Sequence, residues 1–202
     1  MRLKDKTAII TGAYANEVLG YTKFGMLIAQ DHSYCLSQAN YFMAYAKEAG
    51  IELVAVEYNQ QADTDMKAQL TNLKNSGCEI IFNSNPTRPL VVSTSQAYQL
   101  GIDLPMTGSL DYATPFNTLV SDPEMANNIF FVNNVWEDDP ELQAIRAEYV
   151  VTYGAEPTPK SYMGYDEILI LAEAIRQAGG TDREAIRDAL ENKINDLKIC
   201  TG

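Results

Sequence analysis

Between residues 23 and 108 the chain alternates short apolar runs with amphipathic stretches that end on glycine. The runs are KFGMLIA, IELVAVEY, CEIIFN and the strand-like IDLPMTG, and the stretches between them stop at Gly50, Gly77 and Gly101. β-Branched and aromatic residues in short blocks predict strands, and apolar residues three or four apart predict helices. One helix is expected over 33–49, with Ser33 as its N-cap, Gly50 as its stop, and Leu36, Ala39, Met43 and Ala46 as its buried stripe. A second is expected over 65–76 on Met66, Leu70 and Leu73, and a third carries Pro89 in its first turn, where a missing N–H costs nothing. Strands joined by helices must pair in parallel, because each helix is the crossover to the next strand. The loops after such strands share one edge of the sheet, where ligands bind. Here those loops are 30–34, 83–87 and 108–112.

Beyond Gly108 the pattern loosens into a long polar connection with Pro115 and Pro123, then a last strand expected over 129–135. From Asp138 onward the chain reads as helices. Asp139-Pro140-Glu141 is a helix start, 165–178 is apolar almost all round and calls for burial against more than one neighbour, and Thr181-Asp182-Arg183-Glu184 reads as a capping box. The pattern divides the chain into an atypical segment 1–20, an α/β lobe 21–136 and a helical segment 137–202. The fold class is α/β, a parallel sheet flanked by helices.

Composition removes several function classes. A formal charge of −12, with the basic residues scattered, argues against nucleic acid, whose phosphates require clustered Lys and Arg. Three cysteines, Cys35, Cys78 and Cys200, form no CxxC pair and no disulfide framework, and Cys78 opens an apolar strand as a buried thiol would. The single histidine, His32, excludes most metal and histidine-dependent catalytic designs. No apolar run approaches the ~20 residues of a membrane span. The start, MRLKDKTAIITGAYANE, has too short an apolar stretch for a signal peptide, so the chain as written is expected to stay in the cytoplasm.

The run YTKFGMLI, the QDHSY loop, Asp63-Thr64-Asp65 leading into QLTNLKNSG, GIDLPMTGSLDY, the long stretch from FFVNNVWEDDPE to RQAGGTD, and the REAIRDALE helix occur in one order and spacing. Together they resemble the type I periplasmic substrate-binding proteins of the branched-chain amino-acid and amide-binding branch of ABC transporters. The resemblance implies a non-enzymatic protein whose two α/β lobes close on an amino acid or similar small polar molecule and deliver it to a membrane permease, without a cofactor or metal. It also implies that 21–136 is most of the second lobe, that the helices after it belong to the first lobe, and that the chain is a fragment. The same fold senses amino acids in receptors and regulators, so the resemblance also leaves a ligand-sensing regulatory module as an alternative.

The first thirteen residues, MRLKDKTAIITGA, instead look like the opening strand of a short-chain dehydrogenase/reductase. The dinucleotide loop of that family needs glycines where Asn16 and Val18 stand, and its YxxxK pair occurs nowhere in this chain. A cofactor site is therefore not expected.

Three residues are candidates for ligand binding. Tyr34 stands where the resemblance places an aromatic or hydroxyl group; it either covers a ligand or packs on its own helix. Asn85 either offers its amide to a carboxylate or ammonium or shapes the turn before Pro86. Asp111 matches an acidic partner for a ligand's α-ammonium in one alignment, while an alignment on Pro115 puts Leu110 there instead. Asp31 and His32 read as a solvated helix-entry loop.

Overall fold

The computed structural model describes residues 7–113, 115–136, 138–194 and 197–201. Two compact units, Met1–Val132 and Asn133–Gly202, divide the chain. The first unit is built on a five-stranded parallel sheet in the order β2-β1-β3-β4-β5, with β1 Lys23–Ala29, β2 Glu52–Asn59, β3 Ile80–Ser84, β4 Met106–Gly108 and β5 Ile129–Phe131. Its helices are α1 Thr7–Ala13, α2 Ser33–Ala49, α3 Lys67–Asn75, α4 Thr87–Gln99 and the single turn α5 Phe116–Leu119. The alternation in the sequence is thus a right reading of a crossover sheet, and all the strand pairs are parallel.

Both faces of the sheet are covered, which is why the strands are apolar at nearly every position rather than at alternate ones. Phe24, Met26, Ile28, Ile80 and Phe82 face Ala39, Phe42 and Ala46 of α2, with Ala15 beside them. The Phe42 ring stacks on Phe82 with centroids 4.3 Å apart. Removing one such ring from water stabilises by about 1.5–3 kcal/mol. On the opposite face Leu27, Ile81 and Met106 pack with Met66, Leu70 and Leu73 around α3 and with Leu90 and Ala97 of α4.

Several expectations shift in detail. The buried stripe of α2 runs through Cys35, Ala39, Phe42 and Ala46, while Leu36 and Met43 are half-buried. The helix turns to seat Phe42 between Phe24 and Phe82. The cap of α2 is His32 rather than Ser33: the ring Nδ1 accepts from the Cys35 amide at 3.4 Å. At the other end Gly50 has φ 71°, the left-handed stop that a side chain resists. Helix α3 begins at Lys67, not at 65, and β5 ends at Phe131 instead of continuing to 135.

Residues 7–13, expected as the opening strand of a nucleotide-binding unit, are helical, and the helix runs on through a wide turn over Tyr14–Val18. Its turns close as Leu19 N donates to Tyr14 O at 3.1 Å and Gly20 N to Asn16 O at 3.1 Å. The resemblance suggested a strand here, but the segment packs as a helix against α2, with Thr11 and Ala15 buried. Gly12 lies against the Phe42 ring, in a space too tight for a side chain. Residues 1–6 lie outside the described residues.

The second unit holds α6 Pro140–Tyr153, α7 Pro159–Ala178 and α8 Arg183–Asn192, with α7 and α8 packed on each other. Asp139 caps α6 by accepting from the Glu141 and Leu142 amides at 2.8 and 3.2 Å. Helix α7 starts six residues before the apolar stretch, on a Thr158/Ser161 capping box. The cap of α8 is Asp182, which accepts from the Ala185 amide at 2.9 Å; the expected Thr181–Glu184 reciprocal pair is replaced by this single bond. The cover that the apolar stretch 165–178 calls for is not complete among the described residues: Ile168 is 66% and Leu171 44% exposed.

Candidate ligand-binding site

Strand order brings the loops at 30–34, 83–87 and 108–112 to one edge of the sheet, because each follows the C-terminal end of a parallel strand. The chain leaves β1 toward β2 on one side, and β3 lies on the other. The gap between β1 and β3 is therefore the topological switch point, the place where open α/β sheets bind ligands.

The loop after β1 is fastened to the loop after β2. Asp31 Oδ1 accepts from the Gln61 amide at 2.9 Å, and the Gln30 amide donates to the Asn59 carbonyl at 2.9 Å. With Asp31 so engaged and His32 capping α2, Tyr34 faces outward in the first turn beside the exposed Ser33 and is 43% exposed. Its ring meets His32 edge-on, centroids 6.3 Å apart.

Asp111 sits in a 3₁₀ turn, Leu110–Tyr112, directly after β4. The Ser109 hydroxyl is 3.0 Å from Asp111 Oδ2, and the Thr87 hydroxyl is 3.4 Å from Oδ1. Its carboxylate thus touches the first residue of α4. Its charge also reaches α2: the Tyr34 phenol is raised by burial, then by Asp111, then by Cys35. The Cys35 thiol, beneath that turn, is pushed up to about 12 by burial and by the charges of Asp111 and Asp31, with Ser84 pulling the other way. The structure therefore brings Tyr34, Thr87 and Asp111 into one electrostatic neighbourhood on the sheet edge. Arg88, exposed in the first turn of α4, follows Thr87 and was not singled out by the sequence pattern.

Asn85 shares the edge but lies below the surface. It is fully buried, and its amide is engaged on both sides. Asn59 Nδ2 donates to Asn85 Oδ1 at 2.8 Å, while Asn85 Nδ2 donates to Asn83 Oδ1 at 2.8 Å and to the Leu27 carbonyl at 3.3 Å. Asn83 Nδ2 then donates to Ser93 Oγ at 2.9 Å, and Ser93 to the Leu90 carbonyl at 3.1 Å. The two carbonyls accept only, so they fix the direction of every amide in the chain. This ladder spans the ends of β2, β1 and β3 and closes the bottom of the switch-point gap. Only Asn83 within β3 and Asn85 just after it gave a sign of it in the sequence.

A separate groove of about 390 Å³, lined by Thr94, Tyr98, Asp103, Glu124 and Asn128 among others, opens at the start of β4 and so on the opposite edge. Among the described residues no group of three or more His, Cys, Asp or Glu could hold a metal ion. No helix among them is long and apolar enough to cross a membrane.

The C-terminal edge of this parallel sheet thus carries a phenol, a hydroxyl and a carboxylate beside a buried amide ladder, an arrangement of the α/β class. The particular family is shown by sequence: the profile of the periplasmic binding proteins matches residues 6–197, and the chain belongs to that family. Among solved structures it is similar to LivK, a leucine binding protein of Thermotoga maritima, with TM-score 0.86 and 21% identity over 98% of this chain and 57% of that one. It is similar to LivJ, a branched-chain amino acid transporter substrate binding protein of Streptococcus pneumoniae in complex with isoleucine, with TM-score 0.85 and 26% identity over 97% of this chain and 56% of that one. A solute binding protein of an ABC transporter from Rhodopseudomonas palustris, in complex with benzoate, matches with TM-score 0.82 and 14% identity over 93% of this chain and 52% of its own. The chain spans a little over half the length of each of these proteins. No curated protein sequence matches it.

Proposed function

We propose that this chain supplies the ligand-contacting lobe of a solute receptor for an ABC importer, and that the ligand is a branched-chain amino acid, an amide or a similarly small polar molecule. The observation that carries the reading is the Asp111 carboxylate held by Ser109 and Thr87 at the C-terminal edge of the sheet, with its charge helping to raise the exposed Tyr34 phenol. A carboxylate there suits an α-ammonium, and the exposed Tyr34 ring suits an aliphatic side chain. Asn85 contributes to the floor through its amide ladder, so its effect on a ligand passes through the loops it holds. The division into an atypical start, a lobe over 21–136 and a helical part over 137–202 belongs to the same reading, as do delivery to a permease and the absence of enzymatic chemistry. The first lobe of such receptors supplies the second wall of the site, so this lobe is expected to bind weakly.

Isoleucine titrated into the ¹⁵N-labelled chain is expected to move the amides of residues 30–34, 85, 87 and 109–112, with a dissociation constant well above about a micromolar, some −8 kcal/mol of binding. Leucine, valine and simple amides complete the series. Amide shifts confined to the groove at the start of β4, or none at all, would overturn the reading.

A further inference from the structure

We propose that the groove at the start of β4 is a second small-molecule site, one that takes an amine whose apolar body carries a hydroxyl at its far end. It opens on the edge opposite the loops assigned above and does not depend on that assignment. Three segments of the first unit build it: the last turns of α4, the link 102–104 into β4, and the 3₁₀ turn Pro123–Ala126 with the link into β5. They are tied to one another. The Met106 amide donates to the Asn128 carbonyl at 2.9 Å, and Asn128 Nδ2 donates to Asp103 Oδ1 at 3.3 Å. Asp122 caps the 3₁₀ turn by accepting from the Glu124 amide at 3.0 Å. The volume of about 390 Å³ suits a small organic molecule.

The chemistry of the groove changes from rim to interior. Asp103 and Glu124 are exposed, and no Lys or Arg lines the groove. Each carboxylate meets one neutral donor: Asn128 Nδ2 for Asp103, and the Tyr98 hydroxyl, 3.5 Å away, for Glu124. Neither forms an ion pair among the described residues. Two carboxylates without a counter-charge draw an ammonium. Behind them Ala97, Ile102 and Met106 are buried, a lining for an apolar body. The Thr94 side chain, which also lines the groove, is 2% exposed, and its hydroxyl has no partner in hydrogen-bond geometry. The Tyr112 phenol, raised by burial and eased down by Asn83 and Thr94, turns its own O–H toward the Met106 sulfur at 3.9 Å. A buried hydroxyl without a partner is costly and rarely kept in a native structure. A hydroxyl on the ligand supplies that partner while the ammonium stays at the rim.

The test titrates three probes separately into the ¹⁵N-labelled chain: tyramine, phenethylamine, which lacks the hydroxyl, and desaminotyrosine, which carries a carboxylate in place of the ammonium. Tyramine is expected to shift the amides of residues 94, 98, 103 and 124–129 saturably, phenethylamine to bind about threefold or more weaker, and desaminotyrosine to leave these amides in place. Asp103→Asn and Glu124→Gln, both on the surface, are each expected to weaken tyramine by about two- to fivefold, the scale of one exposed ion pair. Thr94→Val is expected to erase the preference for tyramine over phenethylamine. Near-ultraviolet circular dichroism reports whether that buried variant is folded, and the two rim variants decide the proposal if it is not. Tyramine shifts that are absent, or confined to residues 30–34 and 109–112, overturn the proposal. So do equal binding of desaminotyrosine, rim variants that bind tyramine like wild type, and a folded Thr94→Val that keeps the preference.

Discussion

Gly108 shows how a single position ties the sheet to the site. It pairs with Asn83 across β3 and β4, and a Cβ built on it would fall on the Asn83 carbonyl oxygen, with a Tyr112 ring carbon 3.1 Å away. Neither neighbour can move: Asn83 is held by the amide ladder, and Tyr112 is buried with its ring edge-on to Phe116 at 5.0 Å. Gly108→Ala is therefore expected to cost about 1–3 kcal/mol of stability by overpacking. Urea unfolding should show the loss, together with a shift of the Asp111 amide resonance; a wild-type midpoint would contradict the crowding argument. Asn85 teaches the complementary lesson. A polar residue after a strand reads as a ligand contact, yet here its donors and acceptor are already spent on Leu27, Asn83 and Asn59.

At the scale of elements, α7 depends on one buried carboxylate. Asp166 accepts from the Cys200 and Thr201 amides at 3.0 and 2.8 Å and from the Thr201 hydroxyl at 2.6 Å, with the Cys200 thiol 3.1 Å away. It fastens the segment 197–201 to the helix. Burial pushes this carboxyl up, but the Thr201 hydroxyl and the Cys200 and Thr201 donors outweigh it and hold it below the ordinary value. A depressed native value means stability that is complete above the ordinary aspartate range, near ~3.9, and lost as pH falls through the lower native value. Asp166→Asn is expected to lose about 1.5–3 kcal/mol at neutral pH, because an amide turns one N–H toward donors it cannot satisfy. The gap between wild type and variant should close as the pH drops below that window. A pH-independent gap in the unfolding free energy would refute the assignment. The cysteine and threonine of this clamp carried no readable pattern, being more than thirty residues from the carboxylate they serve.

At the scale of the molecule, the exposed apolar stripe of α7 has a consequence for solution behaviour. Tyr165, Ile168 and Leu171 are all exposed, and a contiguous apolar surface seeks cover. The chain is expected to self-associate with rising concentration, and Ile168→Lys together with Leu171→Lys to reduce it. Sedimentation velocity across a concentration series measures this directly; a monomer at all concentrations would show that the stripe is benign. The same helix was legible as apolar in the sequence, but its surroundings were not, because hydrophobicity reports the need for cover and not whether cover is present.

The order of strands and helices, their parallel pairing and the edge shared by Tyr34, Asn85 and Asp111 could all be read from the sequence. Each rests on local periodicity and on the rule that a helix must carry the chain back to the next strand. Three things were decided only by the tertiary structure. Residues 7–13 became helix packed on α2, and α2 turned its Phe42 stripe inward, since packing outweighed local preference. The polar groups found their partners at sequence separations from two to 58 residues, as in Asn85 with Asn83 and with Leu27. Such pairings follow from β1 lying between β2 and β3, an arrangement no stretch of the chain contains by itself.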